Sequence, residues 1–198
     1  MLQVSYTSGL LEAGLDEAGR GGLAGPVYAA AVVLPSGYAN AELNDSKKLS
    51  SSKRDRLRRM IESEAVAWAV ASVPPEVIDK INILNASILA MQQAVGKLSV
   101  VPELLLVDGN RFKPMANIRH QCIIRGDATF MSIAAASILA KTHRDEFMCR
   151  IGKDYPHFGW ECNKGYPSGS HREAIYDHGP CVHHRLSFRL YGQLKLAL

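Results

Sequence analysis

Cysteine is scarce in this chain of 198 residues, and no two cysteines form a C-x-x-C pair; the four are Cys122, Cys149, Cys162 and Cys181. Their scatter indicates neither a disulfide framework nor a zinc ribbon, so we expect free, reduced thiols. Long apolar runs are also missing, and none approaches the roughly 20 residues that a membrane span requires. The first residues lack the basic and apolar segments of a secretory signal. We therefore expect a cytoplasmic protein with no membrane segment.

The composition is that of an ordinary globular domain, with 47% hydrophobic and 21% charged residues. A chain of this length can bury one core and is too small to need two. We expect a single domain over residues 1–198, with a helical C-terminal extension from about residue 155, and a monomer.

The net charge of +4 is unevenly distributed along the chain. Residues 47–59 carry seven basic side chains against one acid, and most of them fall on a predicted helix. One interpretation is a solvated helix face, which is the usual meaning of such a run. The other is a surface that contacts phosphates and binds with a steep salt dependence. Composition alone does not separate the two.

The order of strands and helices indicates an α/β fold. Apolar runs bounded by turn residues predict five strands: one that ends at Asp16 and Glu17, then 27–34, 65–73, 103–110 and 121–127. The first three are expected to form an antiparallel meander. Apolar residues at helical spacing predict helices at 51–64, 75–83, 85–99, 131–151 and 169–178.

The first candidate site is a pair of acids, Asp16 and Glu17, followed at once by a glycine-rich turn that carries Arg20. Adjacent carboxylates repel each other unless a cation or proton lies between them, which favours a divalent metal. A solvated strand end is the alternative. Residues 19–24 also fit a loose G-x-G-x-x-G/A nucleotide-binding pattern, but that pattern requires a helix at the glycines, and here Pro26 and a predicted strand follow.

Two further predicted strands finish with an acid, at Asp108 and at Asp127. Asp108 precedes Gly109, so a simple Asp-Gly turn is the alternative for that position taken alone. Because carboxyl ends of strands are where α/β proteins bind ligands, we expect the acids to meet at one cation site.

The predicted helix at 131–151 begins with small residues, Ala134 to Ser137, which permit close approach to the sheet. Its later segment, Arg144 to Glu146, is interpreted as surface charge pairing. Tyr166 precedes the predicted helix at 169–178. It could stack on a sugar or base, or lie half-buried under the helix start.

Five motifs resemble, in order, the motif set of the bacterial ribonuclease HII family, the type 2 ribonucleases H. They are DEAGRG at 16–21, NDSKKLS at 44–50, VDGN at 107–110, GDATFMSIAAASILAKTHRD at 126–145 and GYPS at 165–168. Together they cover nearly the whole chain. The resemblance implies a ribonuclease H-like fold, a five-stranded mixed sheet flanked by helices, with a helical C-terminal part.

The resemblance also implies an activity and its residues. The family's four catalytic, metal-binding acids fall on Asp16, Glu17, Asp108 and Asp127. Substrate contacts fall on Gly19, Arg20, Gly21 and Tyr166, and Lys47 is a candidate phosphate contact. The implied reaction cuts the RNA strand of RNA/DNA hybrids, and nicks duplex DNA 5′ of a single ribonucleotide, for ribonucleotide removal and RNA primer processing.

Two Mg²⁺ or Mn²⁺ ions roughly 3.5–4 Å apart would balance the four carboxylates. We expect Asp16 to lie between them. Glu17 points the other way if its strand stays regular, so we expect the backbone to bend there or its carbonyl to help. The implied products carry 5′-phosphate and 3′-hydroxyl ends.

Two alternatives remain open at this point. A ribonuclease HIII-type enzyme is related, but that family carries an extra N-terminal domain, and only about ten residues precede the first predicted strand here. A basic nucleic-acid-binding module without catalysis is the alternative from another class.

The last residues, 193–198, are similar to the Q-L-x-L-x-L peptide with which bacterial proteins bind the replication sliding clamp. A terminal peptide with alternate leucines suits an apolar groove on a partner. The alternative is a last helical turn packed on the domain.

Overall fold

The computed structural model describes residues 2–44, 46, 49–115 and 117–191. Its strands are β1 (Glu12–Ala18), β2 (Val27–Val33), β3 (Ala67–Val73), β4 (Leu104–Asp108) and β5 (Arg119–Ile123). Its helices are α1 (Ser51–Glu64), α2 (Pro75–Gly96), α3 (Met131–Gly152), α4 (Trp160–Asn163) and α5 (Gly169–His178). Two 3₁₀ turns cover Gly126–Ala128 and Pro156–Phe158.

The five strands form one mixed sheet in the order β3-β2-β1-β4-β5. The first three pair antiparallel as a meander, and β4 and β5 run parallel to β1. This confirms the predicted five-stranded mixed sheet. Since β1 and β4 are parallel neighbours, their carboxyl ends lie side by side at one edge of the sheet.

Helices cover the sheet on both faces. The alternation of side chains along β1 sends Leu15 into the core beneath α2, where Met91 also packs. On the other face, α3 and α1 form a second core that includes Leu57 and Leu139. The same alternation turns Asp16 toward α3.

The start of α3 lies unusually close to β1. A Cβ added to Gly14 would lie 2.5 Å from the carbonyl oxygen of Ser132, so only glycine fits there. The small residues Ala134, Ala135 and Ala136 that follow are fully buried. The predicted close approach is confirmed, and it brings Ser137 over the end of β1.

Two element boundaries differ from the prediction. The structure merges the predicted helices at 75–83 and 85–99 into α2, with a kink at Asn82 (φ 64°, ψ 165°). The strand predicted at 121–127 is shifted to Arg119–Ile123, so it does not end on an acid. Arg125 adopts a left-handed conformation (φ 58°) that turns the chain out of the sheet, and Asp127 therefore lies on the following 3₁₀ turn.

Residues 155–191 contain short helices around a small core of their own. Phe158, Trp160 and Ile175 pack there against Leu23 and Met148. All four cysteines are free. No helix within the described ranges is long and apolar enough to cross a bilayer.

Candidate active site

A cavity of about 510 Å³ opens where β1 and β4 end. It is lined by every residue predicted for the site except Lys47, which falls outside the described residues. The lining comprises Asp16, Glu17, Ala18, Gly19, Arg20, Gly21, Ser46, Asp108, Asp127, Ser137, Lys141 and Tyr166. Acids that lie far apart in the sequence are therefore brought to one place.

Asp16 is the most deeply placed of these acids, with only 6% of its surface exposed. Its Oδ1 accepts a hydrogen bond from the Glu17 N–H (2.7 Å), and Ser137 supplies a second. Burial raises the pKa of the Asp16 carboxyl well above its ordinary value, and the negative charges of Glu17 and Asp108 raise it further. A cation beside Asp16 would reverse that effect, because it favours the ionised form.

Glu17 lies on the opposite face of β1 from Asp16. We expected the strand to bend at Glu17, but its pairing with β2 continues in register through Ala18. The Glu17 carboxylate accepts from Arg20 at 3.1 Å and remains at the cavity wall. The expectation that its carbonyl takes part stays a prediction.

Asp108 links the end of β4 to the turn that carries Asp127. Its Oδ1 accepts a hydrogen bond of 2.7 Å from the Gly126 N–H. A Cβ on Gly126 would lie 2.5 Å from Ile133 Cδ1, so a larger residue there would have to displace the end of that side chain. The turn, and not the end of a strand, brings Asp127 to the cavity.

The donor set suits a hard divalent ion. The four acids offer only oxygen ligands, the kind that Mg²⁺ and Mn²⁺ prefer. Lys141, the one lysine among the described residues of the cavity lining, already pairs with Asp145 at 2.7 Å. Among the described residues, no three potential ligands form a finished coordination shell for one ion. Burial raises the pKa of the Asp16 carboxyl most, and the charges of Glu17 and Asp108 add to it, so a bound cation would relieve both costs.

The glycine-rich turn is held from beneath by Arg144, which the sequence analysis assigned wrongly to surface charge pairing. Arg144 is fully buried and donates to the carbonyls of Pro26 (3.1 Å), Ala24 (3.1 Å) and Lys164 (2.9 Å). Only its neighbours behave as predicted: Asp145 pairs with Lys141, and Glu146 pairs with Arg58. Ala140 and Met148 lie four residues before and after Arg144, on the same face of α3, and both are apolar. This spacing was a usable sequence signal that Arg144 faces the core, where both neighbours are buried.

Arg185, which the sequence offers as a plausible phosphate contact, is a second buried arginine. Its Nε donates to the Gly25 carbonyl (2.9 Å) and one terminal nitrogen to the Arg20 carbonyl (3.0 Å). Burial lowers the pKa of both guanidinium groups, that of Arg185 to about 9. Arginine keeps its charge at neutral pH in proteins, so the turn is backed by two guanidinium groups that bind peptide carbonyls.

Tyr166 is half-buried, as one interpretation of the sequence had it. It also lines the cavity, where the other interpretation places it for stacking on a sugar or base. Its ring centre lies 5.0 Å from Arg144 Cζ and 5.4 Å from Lys141 Nζ. Its carbonyl accepts a hydrogen bond from Nδ1 of His171 (2.9 Å), on the helix that follows. The ring is thereby fixed at the cavity wall by neighbours on α3 and α5.

Two buried imidazoles support this arrangement. Nε2 of His171 accepts from the Trp160 indole N–H (2.9 Å) and lies 3.2 Å from Nε2 of His184. Nδ1 of His184 accepts from the Cys181 N–H (3.0 Å). Burial lowers the pKa of His171, and burial with the nearby His171 lowers that of His184 to about 4. Both rings are neutral at neutral pH.

The basic run on α1 is largely committed to contacts within the protein. Arg54 donates to the carbonyls of Ser46 and Leu49, and Arg58 pairs with Glu62 and Glu146. Arg56 pairs with Glu42. These contacts favour the interpretation of α1 as a helix face whose charge is compensated internally.

The fold and the acid cluster define the class of protein first. The chain is similar to the solved ribonuclease H2 of Pyrococcus horikoshii OT3, with a TM-score of 0.75 and 24% identity over 90% of this chain and 94% of that one. It is also similar to the ribonuclease HII of a PCNA:RNase HII complex from Archaeoglobus fulgidus, with a TM-score of 0.74 and 25% identity over 93% of this chain and 98% of that one. The fold is that of the type 2 ribonucleases H.

Sequence comparisons then give the family. The model of the family described as Ribonuclease HII matches residues 13–191. Ribonuclease HII of Bacteroides fragilis (strain YCH46) is 58% identical over 189 residues, which are 96% of this chain and 94% of the relative. Ribonuclease HII of Porphyromonas gingivalis is 58% identical over 180 residues, 91% and 90% of the two chains. The chain belongs to the ribonuclease HII family.

Family membership confirms the predicted class of enzyme. The chain is a metal-dependent ribonuclease H, an endonuclease that acts on the RNA of RNA/DNA hybrids. The alternative of a non-catalytic binding module is thereby set aside.

Proposed function

We propose that the enzyme cleaves hybrids, and duplex DNA that contains a single ribonucleotide, on the 5′ side of the ribonucleotide. Asp16, Glu17, Asp108 and Asp127 are the proposed catalytic acids. The observation that carries this proposal is that all four line one cavity beside the glycine-rich turn. Such an enzyme serves to remove ribonucleotides from DNA and to process RNA primers.

The four acids would hold two Mg²⁺ or Mn²⁺ ions, with Asp16 as a ligand. When bound, the ions supply an activated water and stabilise the departing 3′ oxygen. Asp16 is kept in place for this role by the Glu17 N–H and by Ser137. The hydrogen bond from Gly126 to Asp108 holds two of the ligand-bearing segments together. The products are 5′-phosphate and 3′-hydroxyl ends.

Substrate choice is proposed to depend on the turn of Gly19, Arg20 and Gly21. A Cβ on Gly21 would meet nothing within 4 Å, so this side of the turn is open to a ligand. Peptide groups there can approach a ribose closely and sense its 2′-hydroxyl, which separates RNA from DNA. A site built to bind a hydroxyl can reject the analogue that lacks it by about 10⁴–10⁵-fold.

Tyr166 is proposed to pack on the deoxyribose that follows the ribonucleotide. Its ring lines the cavity and is fixed by Arg144 and His171. Lys47 remains a candidate phosphate contact from the sequence alone.

The test uses duplex DNA with one ribonucleotide and an all-DNA duplex as its control. With Mg²⁺ or Mn²⁺ we expect one nick 5′ of the ribonucleotide, and none with EDTA. Asp16→Asn should abolish the nick while leaving substrate binding in place. Equal cutting of both duplexes, or cutting that survives Asp16→Asn, would contradict the proposal.

We further propose that residues 193–198, which lie outside the described residues, bind the replication sliding clamp. The motif supports this, as does the similarity to a ribonuclease HII solved in complex with PCNA, although that complex is archaeal. Deletion of 193–198 should abolish co-purification with the clamp and leave cleavage of short duplexes unchanged. Co-purification that persists after the deletion removes this proposal.

A further inference from the structure

A groove leads away from the acid cluster across α2. Its first section, of about 50 Å³, shares Glu17, Arg20 and Asp108 with the active-site cavity. Its second section, of about 490 Å³, is open, and Ile88 lines both sections. The active-site cavity and the two sections of the groove are thus neighbours, and each shares lining residues with the next.

The far part of this groove is basic. Lys80 and Lys113 line the second section, where the described lining contains no carboxylate. Arg111 lines the first section. All three side chains are exposed, and none of them forms an ion pair with a described carboxylate. The amide side chains of Asn85 and Gln92 line the same section.

A helix start adds to the positive potential. The kink at Asn82 begins a second helical segment that runs to Gly96, and the Asn82 Oδ1 accepts from the Asn85 N–H at 3.1 Å. Leu84, in the first turn of this segment, lines the groove. The start of a helix favours an anion through its dipole and its unpaired N–H groups. A non-glycine residue held at φ 64°, ψ 165° is unfavourable and is typical of functional sites.

The groove differs from α1 in part, because only Lys53 and Arg59 of the basic residues on α1 lack both an ion pair with a described carboxylate and a described carbonyl partner. Arg56 and Arg58 on α1 each have a carboxylate partner. The cations of the groove have none among the described residues. Charge that the fold does not compensate is available to a polyanion, and the neutralisation of phosphates by such side chains dominates nucleic-acid affinity.

We propose that this groove carries the sugar-phosphate backbone of the bound duplex away from the cleaved bond, with Lys80, Arg111 and Lys113 as phosphate contacts. The inference rests on the proposed function, because it takes the groove and the acid cluster to hold one substrate. On this proposal the α2 face binds the duplex away from the cleaved bond, so the affinity should depend on the length of the duplex. The proposal involves no chemistry at the cleaved bond.

The test compares two double variants on the same duplex with one ribonucleotide. Lys80→Gln/Lys113→Gln removes the charges of the groove. The control, Lys97→Gln/Lys153→Gln, removes two exposed lysines outside the groove. Lys97 donates to the carbonyl of Val70 on edge strand β3, and Lys153 follows the end of α3. Both doubles change net charge equally, and thermal melting checks that both are folded. Binding is measured by anisotropy in EDTA, and cleavage is measured separately with Mg²⁺.

For the groove variant we expect binding to weaken about tenfold or more, with KM raised in parallel. The slope of log affinity against log salt should become shallower by about 1–2, since up to two phosphate contacts are lost. Shortening the duplex on the side of the ribonucleotide that lies in the groove should reduce the difference in affinity between the two double variants. Shortening it on the other side should leave that difference in affinity unchanged. The control double should bind and cleave as the unmodified enzyme does.

The failures are distinguishable. If the two double variants have equal affinity and an equal slope of log affinity against log salt, the proposed role of the groove is wrong. The proposed function would remain intact. Groove-dependent binding without any nick at the ribonucleotide would overturn the proposed function alone.

Discussion

Gly19 and Arg144 occupy adjoining space that no larger residue at position 19 could share. A Cβ built on Gly19 would lie 2.8 Å from Arg144 Cζ and closer still to its Nε and Cδ. Gly19 also adopts φ 95°, a conformation that residues with a side chain rarely tolerate. The first glycine of the turn is therefore fixed by packing, whereas Gly21 has open space around it.

This difference gives a matched pair of substitutions. Gly19→Ala should destabilise the protein by about 1–3 kcal/mol or more, because it combines backbone strain with displacement of Arg144. Gly21→Ala should change stability by less than about 1 kcal/mol, since its Cβ meets no atom. Urea unfolding measures both effects.

For Gly21→Ala we expect the loss to appear in cleavage and not in folding. A methyl group on the open side of the turn would hold the backbone away from the ribose, so kcat/KM at a single ribonucleotide should fall. Unchanged kcat/KM for a folded Gly21→Ala protein would contradict the proposed contact.

Arg144→Met should cost about 3 kcal/mol or more, because two buried carbonyls and one partly buried carbonyl lose a charged donor. The matched control is Arg59→Met on the exposed face of α1, which should stay within about 0.5 kcal/mol of the unmodified protein. The free energy of unfolding, from urea titration followed by circular dichroism, provides the comparison. Equal effects of the two substitutions would show that the Arg144 contacts contribute little.

Asp16→Asn should separate stability from activity. Burial and the charges of Glu17 and Asp108 oppose ionisation of Asp16, so its ionised form destabilises the metal-free fold. In EDTA, the melting temperature of Asp16→Asn should equal or exceed that of the unmodified protein. Mn²⁺ should raise the melting temperature of the unmodified protein more than that of the variant, because ligands stabilise the state that binds them. An equal rise in both would argue against Asp16 as a metal ligand.

Acid should weaken the fold through His184. Its folded pKa of about 4 lies below the ordinary value of 6.5, so the unfolded chain binds more protons between those values. The free energy of unfolding should therefore fall as the pH is lowered from 6.5 toward 4. Urea titrations at pH 7 and pH 5 measure the fall, which should be smaller in His184→Gln. The exposed His178→Gln is the control, and a pH dependence that both variants share would contradict this role.

The sequence predicted most of the fold because its periodicities agree with the final contacts. The bounds of α1 were predicted as observed, and Asp108 does end a buried parallel strand. The shift of β5 was not predictable, because the left-handed conformation of Arg125 depends on tertiary contacts that no local pattern records. Asp127 nevertheless lines the cavity as the sequence predicted, because the N–H of Gly126 before it bonds to Asp108 and holds the turn there.

The buried arginines show what local patterns miss. Arg144 lies beside Asp145 and Glu146, so charge pairing on the surface was the natural interpretation. Its actual partners are backbone carbonyls, which carry no sequence signature. Arg185 lies in an irregular segment after α5. In such a segment, the spacing of apolar residues does not indicate which side chains are buried.

The two arginines that hold the glycine-rich turn have a consequence for the order of folding. Arg144 bonds to a carbonyl 120 residues earlier in the chain, and Arg185 bonds to one 160 residues earlier. Contacts between residues so distant in the sequence form late, because a long loop must first be closed. We therefore expect the turn to reach its final conformation only after the sheet and α3 have assembled.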